Sequence, residues 1–109
     1  MFKVAQKRTV KWPVTVNVPQ DGGRTSKAIF EAHFEVITAE EQQQAIRDGK
    51  DLLDVQLIGW NDQVKGDDDQ PLAFAEAAKK ALLDITYVRV ALFDALGEIN
   101  TGRAAARKN

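Results

Sequence analysis

Four aspartates, Asp62, Asp67, Asp68 and Asp69, lie within eight residues of one another (62–69), and clustered carboxylates on a loop are what a hard cation such as calcium needs. The spacing does not fit. If the EF-hand loop is counted from Asn61, Gly66 falls on the invariant glycine, but Lys65 lands on a ligand position and Leu72 on that of the terminal glutamate. Counting from Asp62 or Asp67 puts Val64 or Pro71 on ligand positions. The run is read as a solvated acidic loop.

The single histidine, His33, shares one strand face with Glu31 and Glu35 at a period of two, a set that would suit zinc or manganese. The same positions are the outward face of an amphipathic strand, where polar residues are expected anyway. Asp21, Gly22, Gly23 and Arg24 superficially suggest a phosphate loop. A phosphate cradle feeds a helix N-terminus, whereas this segment joins two strands and reads as a turn. Ser26, the lone serine, sits beside that turn with no histidine near it in sequence. Arg103, Arg107 and Lys108 form a short basic tail without interleaved aromatics, too little for specific nucleic-acid binding. No catalytic residue, cofactor site or metal site is therefore assigned.

The chain has 109 residues with 44% hydrophobic content, which fits one domain with a modest core. Its 15 basic and 16 acidic residues give a formal charge of −1, so no global field favours nucleic acid or an anionic membrane. With no cysteine, disulfides and thiolate chemistry are excluded. The absence of a long apolar run and of a signal-type amino terminus leads to the expectation of a soluble, intracellular protein.

Alternation of Val10, Trp12, Val14, Val16 and Val18 with polar residues marks a half-buried strand. Pro13 requires that this strand lie at an edge or turn that position outward. After the turn, Ala28, Phe30, Ala32, Phe34 and Val36 repeat the pattern, giving a long antiparallel hairpin whose apolar face needs a cover of helices.

Thr38 and Glu41 form a capping box for a short polar helix anchored by Ile46 and ending near Gly49. Asp51 caps a second helix in which Leu52, Leu53, Val55, Leu57, Ile58 and Trp60 surround nearly the whole circumference. A third helix presents Phe74, Ala78, Ala81, Leu82 and Ile85 on one face. The fourth, from Thr86 to Ile99, turns Val88, Leu92, Ala95, Leu96 and Ile99 inward and carries Val90, Phe93 and Gly97 on the opposite side. The expected architecture is α+β, a single domain over 1–101 in which an N-terminal antiparallel β-hairpin packs against about four α-helices, followed by a flexible basic tail at 102–109. The expected core is Trp12, Val14, Val16, Phe30, Phe34, Leu53, Leu57, Trp60, Phe74, Leu82, Leu92 and Leu96. Trp60 and Phe74 should pack on either side of the acidic loop. Val90, Phe93 and Gly97 are the expected partner-binding face, with the outer edge of the hairpin second.

Residues 58–74, in which IGW is followed by Val64, an acidic loop and PLAF, resemble the tail assembly chaperones of long-tailed bacteriophages and prophages. That family pairs an apolar-Gly-Trp segment and a Pro-apolar-x-Phe segment with a helix ending in LLxI, here LLDI at Leu82–Ile85, before another helix, here TYVRVAL. The hairpin with its aromatic-bearing strand is also similar. The chain departs from the pattern at Ala75, where a serine would cap the helix, at Thr86, where a proline is expected, and in a slightly longer loop before Pro71. The resemblance implies a non-enzymatic protein of the host bacterial cytoplasm, one that binds the tape measure protein and helps to recruit major tail protein; the second stripe of the fourth helix also allows a homo-oligomer, and the near-neutral charge and lack of a long apolar run give no nucleic-acid or membrane partner. The alternatives are a structural tail or connector component of the virion and a small metal-binding protein.

Overall fold

A computed structural model describes residues 2, 4 and 8–105. Strands β1 (Arg8–Gln20) and β2 (Arg24–Val36) form the hairpin, and β3 (Leu57–Trp60) adds to β2. The sheet is antiparallel with the order β1-β2-β3, and four helices accompany it: α1 (Ala39–Arg47), α2 (Leu52–Gln56), α3 (Glu76–Leu83) and α4 (Thr86–Asn100). The architecture is α+β, as expected, with one more strand than the sequence suggested.

The hairpin register sets Val14 opposite Phe30, Trp12 opposite Ala32 and Val10 opposite Phe34, so the alternating apolar residues share a face. Val14, Val16, Phe30, Ala32 and Phe34 are buried there. The end of the hairpin near the 21–23 turn extends past the helices, and Ala28, on the core-facing side of the alternation, is exposed.

The second helix is shorter than the sequence suggested. It stops at Gln56, and Leu57–Trp60 is a strand rather than a helical continuation. The cause is the inner edge of β2, whose N–H and C=O groups need partners. Gly59 is a poor helix former, and Ile58 and Trp60 suit a strand. His33 pairs with Gly59 and Phe34 with Leu57, leaving Ile58 as the extra residue of a β-bulge, 40% exposed. Gly59 is required by close approach: a Cβ there would lie 2.9 Å from His33 Nδ1.

The Thr38–Glu41 capping box forms with both reciprocal hydrogen bonds. Ile46, expected to anchor α1, is exposed, and Ala45 takes its place in the interior. Gly49 and Gly102, both at positive φ, close α1 and α4 with the paired backbone bonds of a Schellman motif. Residues 106–109 of the expected flexible tail lie outside the described residues.

Helix α3 begins at Glu76, and Ala75 at its N-cap makes no side-chain bond. Its inward face is shifted from the expected one: Lys79 and Leu83 are buried, Ala78 and Leu82 are half-buried, and Ala81 and Ile85 are exposed. The buried Lys79 ammonium donates to the Asp54 carbonyl, supplying a partner near the end of α2 that an apolar residue could not supply. Of the expected core, Trp12, Phe74 and Leu82 pack at its margin rather than inside it.

Candidate functional site

The acidic loop has structural work. Leu72 N donates to Val64 O at 2.8 Å and Gly66 N to Gln70 O at 2.9 Å, so the segment doubles back on itself around a buried Val64. Asp68 accepts from Gln70 N at 3.1 Å and Asp69 adopts a left-handed φ of 62°, both ordinary turn chemistry for aspartate. The loop brings Trp60 and Phe74 together edge to face, ring centroids 4.7 Å apart, with the Trp60 indole donating to Leu72 O at 2.7 Å. The expected contact of these rings across the loop is present.

His33 lies 3.2 Å from Glu31 on the outer sheet face. Glu31 and Glu35 pair with Pro13 and Thr9 across the hairpin, in line with the outward assignment. Among the described residues, no three histidine, cysteine, aspartate or glutamate side chains are grouped to hold a metal ion. Ser26 accepts from Gln20 Nε2 at 3.2 Å on the projecting hairpin end, far along the ribbon from His33.

Helix α4 is the element with two apolar faces. Val88, Leu92, Ala95 and Leu96 are buried against the sheet, and Ile99 packs beside them. On the opposite side Val90 is 61% and Phe93 49% exposed, with Tyr87 flanking them. The helix packs chiefly over β1, and Trp12 ties the two together by donating its indole N–H to Glu98 at 2.9 Å. This offset leaves a trough of about 500 Å³ between the outer side of α4 and the strand. Val90, Phe93 and Gly97 line it together with Tyr87 and Asp94, and Pro13, Thr15 and Asn17 form the facing wall. The two surfaces singled out in the sequence, the second stripe of α4 and the outer hairpin edge, thus meet in one place.

The chemistry of that edge follows from the register. Glu31 N donates to the Asn61 side chain at 3.1 Å and Glu31 O accepts from Asn61 N at 3.0 Å, so both backbone groups of Glu31 face away from β1. Its partner Pro13 therefore belongs to a non-hydrogen-bonded pair, and the missing N–H of Pro13 falls on the open side of the sheet. Pro19 is in the same phase. Beyond Gly97, the chain reverses at Gly102, and the Arg103 guanidinium comes 4.0 Å from where a side chain at Gly97 would begin. Helical geometry alone sets Asp94 beside the stripe, whereas Arg103 was not placed at the trough, and only the helix-end glycine could have hinted at its return.

The trough has one apolar wall, the Val90 and Phe93 stripe, and a largely polar one along β1, a build suited to an amphipathic partner segment. No helix among the described residues is long and apolar enough to cross a membrane. No protein-family model, curated protein or solved structure matches the chain.

Proposed function

We propose that the chain is a non-enzymatic tail assembly chaperone of a long-tailed phage or prophage, which binds the tape measure protein and helps to bring major tail protein to it. The observation that carries the reading is the uncovered stripe of α4: Val90 at 61% and Phe93 at 49% exposure beside a trough. Isolated exposed apolar residues are ordinary, but an adjacent pair lining a concavity is a place for another protein. The resemblance of IGW, the acidic loop, PLAF and LLDI supplies the particular partner. In this reading the chaperone acts in the host cytoplasm and leaves before the virion is finished.

Co-expression tests it. The chain is expected to keep the tape measure protein in the soluble fraction, and Phe93→Asp to abolish that while leaving the circular dichroism spectrum unchanged. A tape measure protein that precipitates equally with and without the chain would remove the reading, and unchanged rescue by Phe93→Asp would remove the stripe from it.

A further inference from the structure

An exposed strand edge next to an apolar helix face can receive either an added strand or a helix, and the two demand different things of the protein. Strand addition draws its affinity from main-chain hydrogen bonds along the edge. In β1 the residues in phase with Pro13 direct their backbone groups to the open side, so the donors available there belong to Thr9, Lys11, Thr15 and Asn17. Pro13 and Pro19 lie in that same series and have no N–H to give. The edge is thereby broken at both prolines into two pairs of donors, Thr9 with Lys11 and Thr15 with Asn17, each too short a ladder for a docked strand.

The helix wall makes the opposite offer. Val90 and Phe93, one turn apart, present an apolar ridge along the axis of α4, the arrangement that meets the i, i+3, i+4, i+7 ridge of another helix. Among the described residues the rim carries two carboxylates, Asp94 and Glu98, and one guanidinium, Arg103. Glu98 already accepts from Trp12, whereas Asp94 has no hydrogen-bond or ion-pair partner among the described residues. We infer that the trough receives an amphipathic helix carrying a lysine or arginine beside its apolar stripe, placed to meet Asp94, and that it does not receive an added β-strand. The inference deepens the proposed function and rests on it for the existence of a partner, since it concerns the same stripe.

The probe is a synthetic peptide of about 20 residues, long enough to sustain a helix, with leucines at i, i+3, i+4 and i+7 and a lysine flanking them. A second peptide of identical composition has its leucines alternating with polar residues, as a strand would. Each is titrated against the full chain by fluorescence anisotropy and backbone amide shifts. The helical probe is expected to bind, shifting Val90, Phe93 and Asp94, and to be lost with Phe93→Asp. Asp94→Lys should weaken it roughly fivefold at low salt, and exchanging the probe lysine for glutamate should restore affinity for that variant. Failure of the helical probe to bind, an unchanged affinity for Asp94→Lys, or binding of the alternating probe with shifts at Lys11, Thr15 and Asn17 overturns the inference. Because neither peptide carries phage sequence, these outcomes are separate from the co-expression result: solubility rescue without probe binding leaves the proposed function standing, and probe binding without rescue leaves only the docking mode.

Discussion

Two segments of this chain, Leu52–Trp60 and Thr86–Asn100, carry apolar residues on more sides than one helix can bury, and they resolve the excess in opposite ways. The first changes element. After five helical residues it becomes β3, which buries Leu57 and Trp60 while pairing with β2. The second keeps its helical period, buries Val88, Leu92, Ala95 and Leu96, and leaves Val90 and Phe93 at the surface. The difference lies in what each segment finds next to it. Residues 57–60 meet a strand edge whose backbone groups need partners, whereas the outer side of α4 meets only an edge blunted by prolines. Surplus apolar surface is absorbed where the backbone is wanted, and left at the surface where it is not.

The comparison breaks first at Leu57 and Trp60. If β3 is as integral as its burial implies, Leu57→Ala should destabilise the fold by about 2–5 kcal/mol and Trp60→Ala by about 3–5 kcal/mol, read from urea midpoints, since each leaves a large cavity. A loss below about 1 kcal/mol at both sites would mean that the segment is peripheral.

Adjacent residues on α4 sharpen it next. Leu92 is fully buried and Phe93 half-exposed. Leu92→Ala should cost about 2–5 kcal/mol and Phe93→Ala within about 0.5 kcal/mol of nothing, so a single step along the helix separates a core position from the exposed stripe. Comparable losses from both would show that Phe93 serves the core and would withdraw it from the partner face.

The bulge at Ile58 gives a third, intermediate effect. Gly59→Ala forces a Cβ to within 2.9 Å of the His33 ring and should cost about 1–3 kcal/mol, as overpacking does. Removing the ring by His33→Ala should recover most of that loss in the double variant, a coupling that a backbone-only role for Gly59 would not produce.

These contrasts also explain what could be read from the sequence. The hairpin was legible because strict alternation from Val10 to Val18 and from Ala28 to Val36 has only one structural meaning, and the capping box at Thr38 and Glu41 marks a helix start by local chemistry. β3 was not legible, because the bulge at Ile58 destroys the period of two over a strand of four residues, and the remaining apolar run imitates a helix. The inward shift of α3 turns on Lys79, whose burial depends on the Asp54 carbonyl 25 positions earlier in the chain, a partner no periodicity reveals. Half of the candidate site was legible for the same reason as the hairpin: Val90 and Phe93 lie off the main stripe by helical geometry alone. Its other wall, Pro13, Thr15 and Asn17, comes from a strand more than seventy residues away in sequence and was named only as an edge, while Arg103 gained meaning only when the chain folded back at Gly102.

The smallest effect lies where the two compared segments touch. Asp51 caps α2 by accepting from Leu53 N at 2.9 Å, and its carboxylate also pairs with Arg89 of α4. These roles separate on substitution. Asp51→Asn keeps a side-chain oxygen for the cap and removes the charge, whereas Asp51→Ala removes both. Arg89 is 42% exposed, so its attraction to Asp51 is screened and worth at most about 1 kcal/mol, while loss of the cap costs about 1 kcal/mol. The alanine variant should thus lose about twice what the asparagine variant loses, and only the asparagine loss should shrink towards zero as salt is raised from about 0.1 M to 1 M. Arg89→Gln should share that salt dependence but lose somewhat more, because Arg89 also donates to Leu83 O at 3.3 Å, and adding Asp51→Asn to it should bring no further loss. Equal losses for asparagine and alanine would assign the whole contribution of Asp51 to the ion pair, making α2 and α4 an electrostatically coupled unit instead of two segments that answer separately to their neighbours.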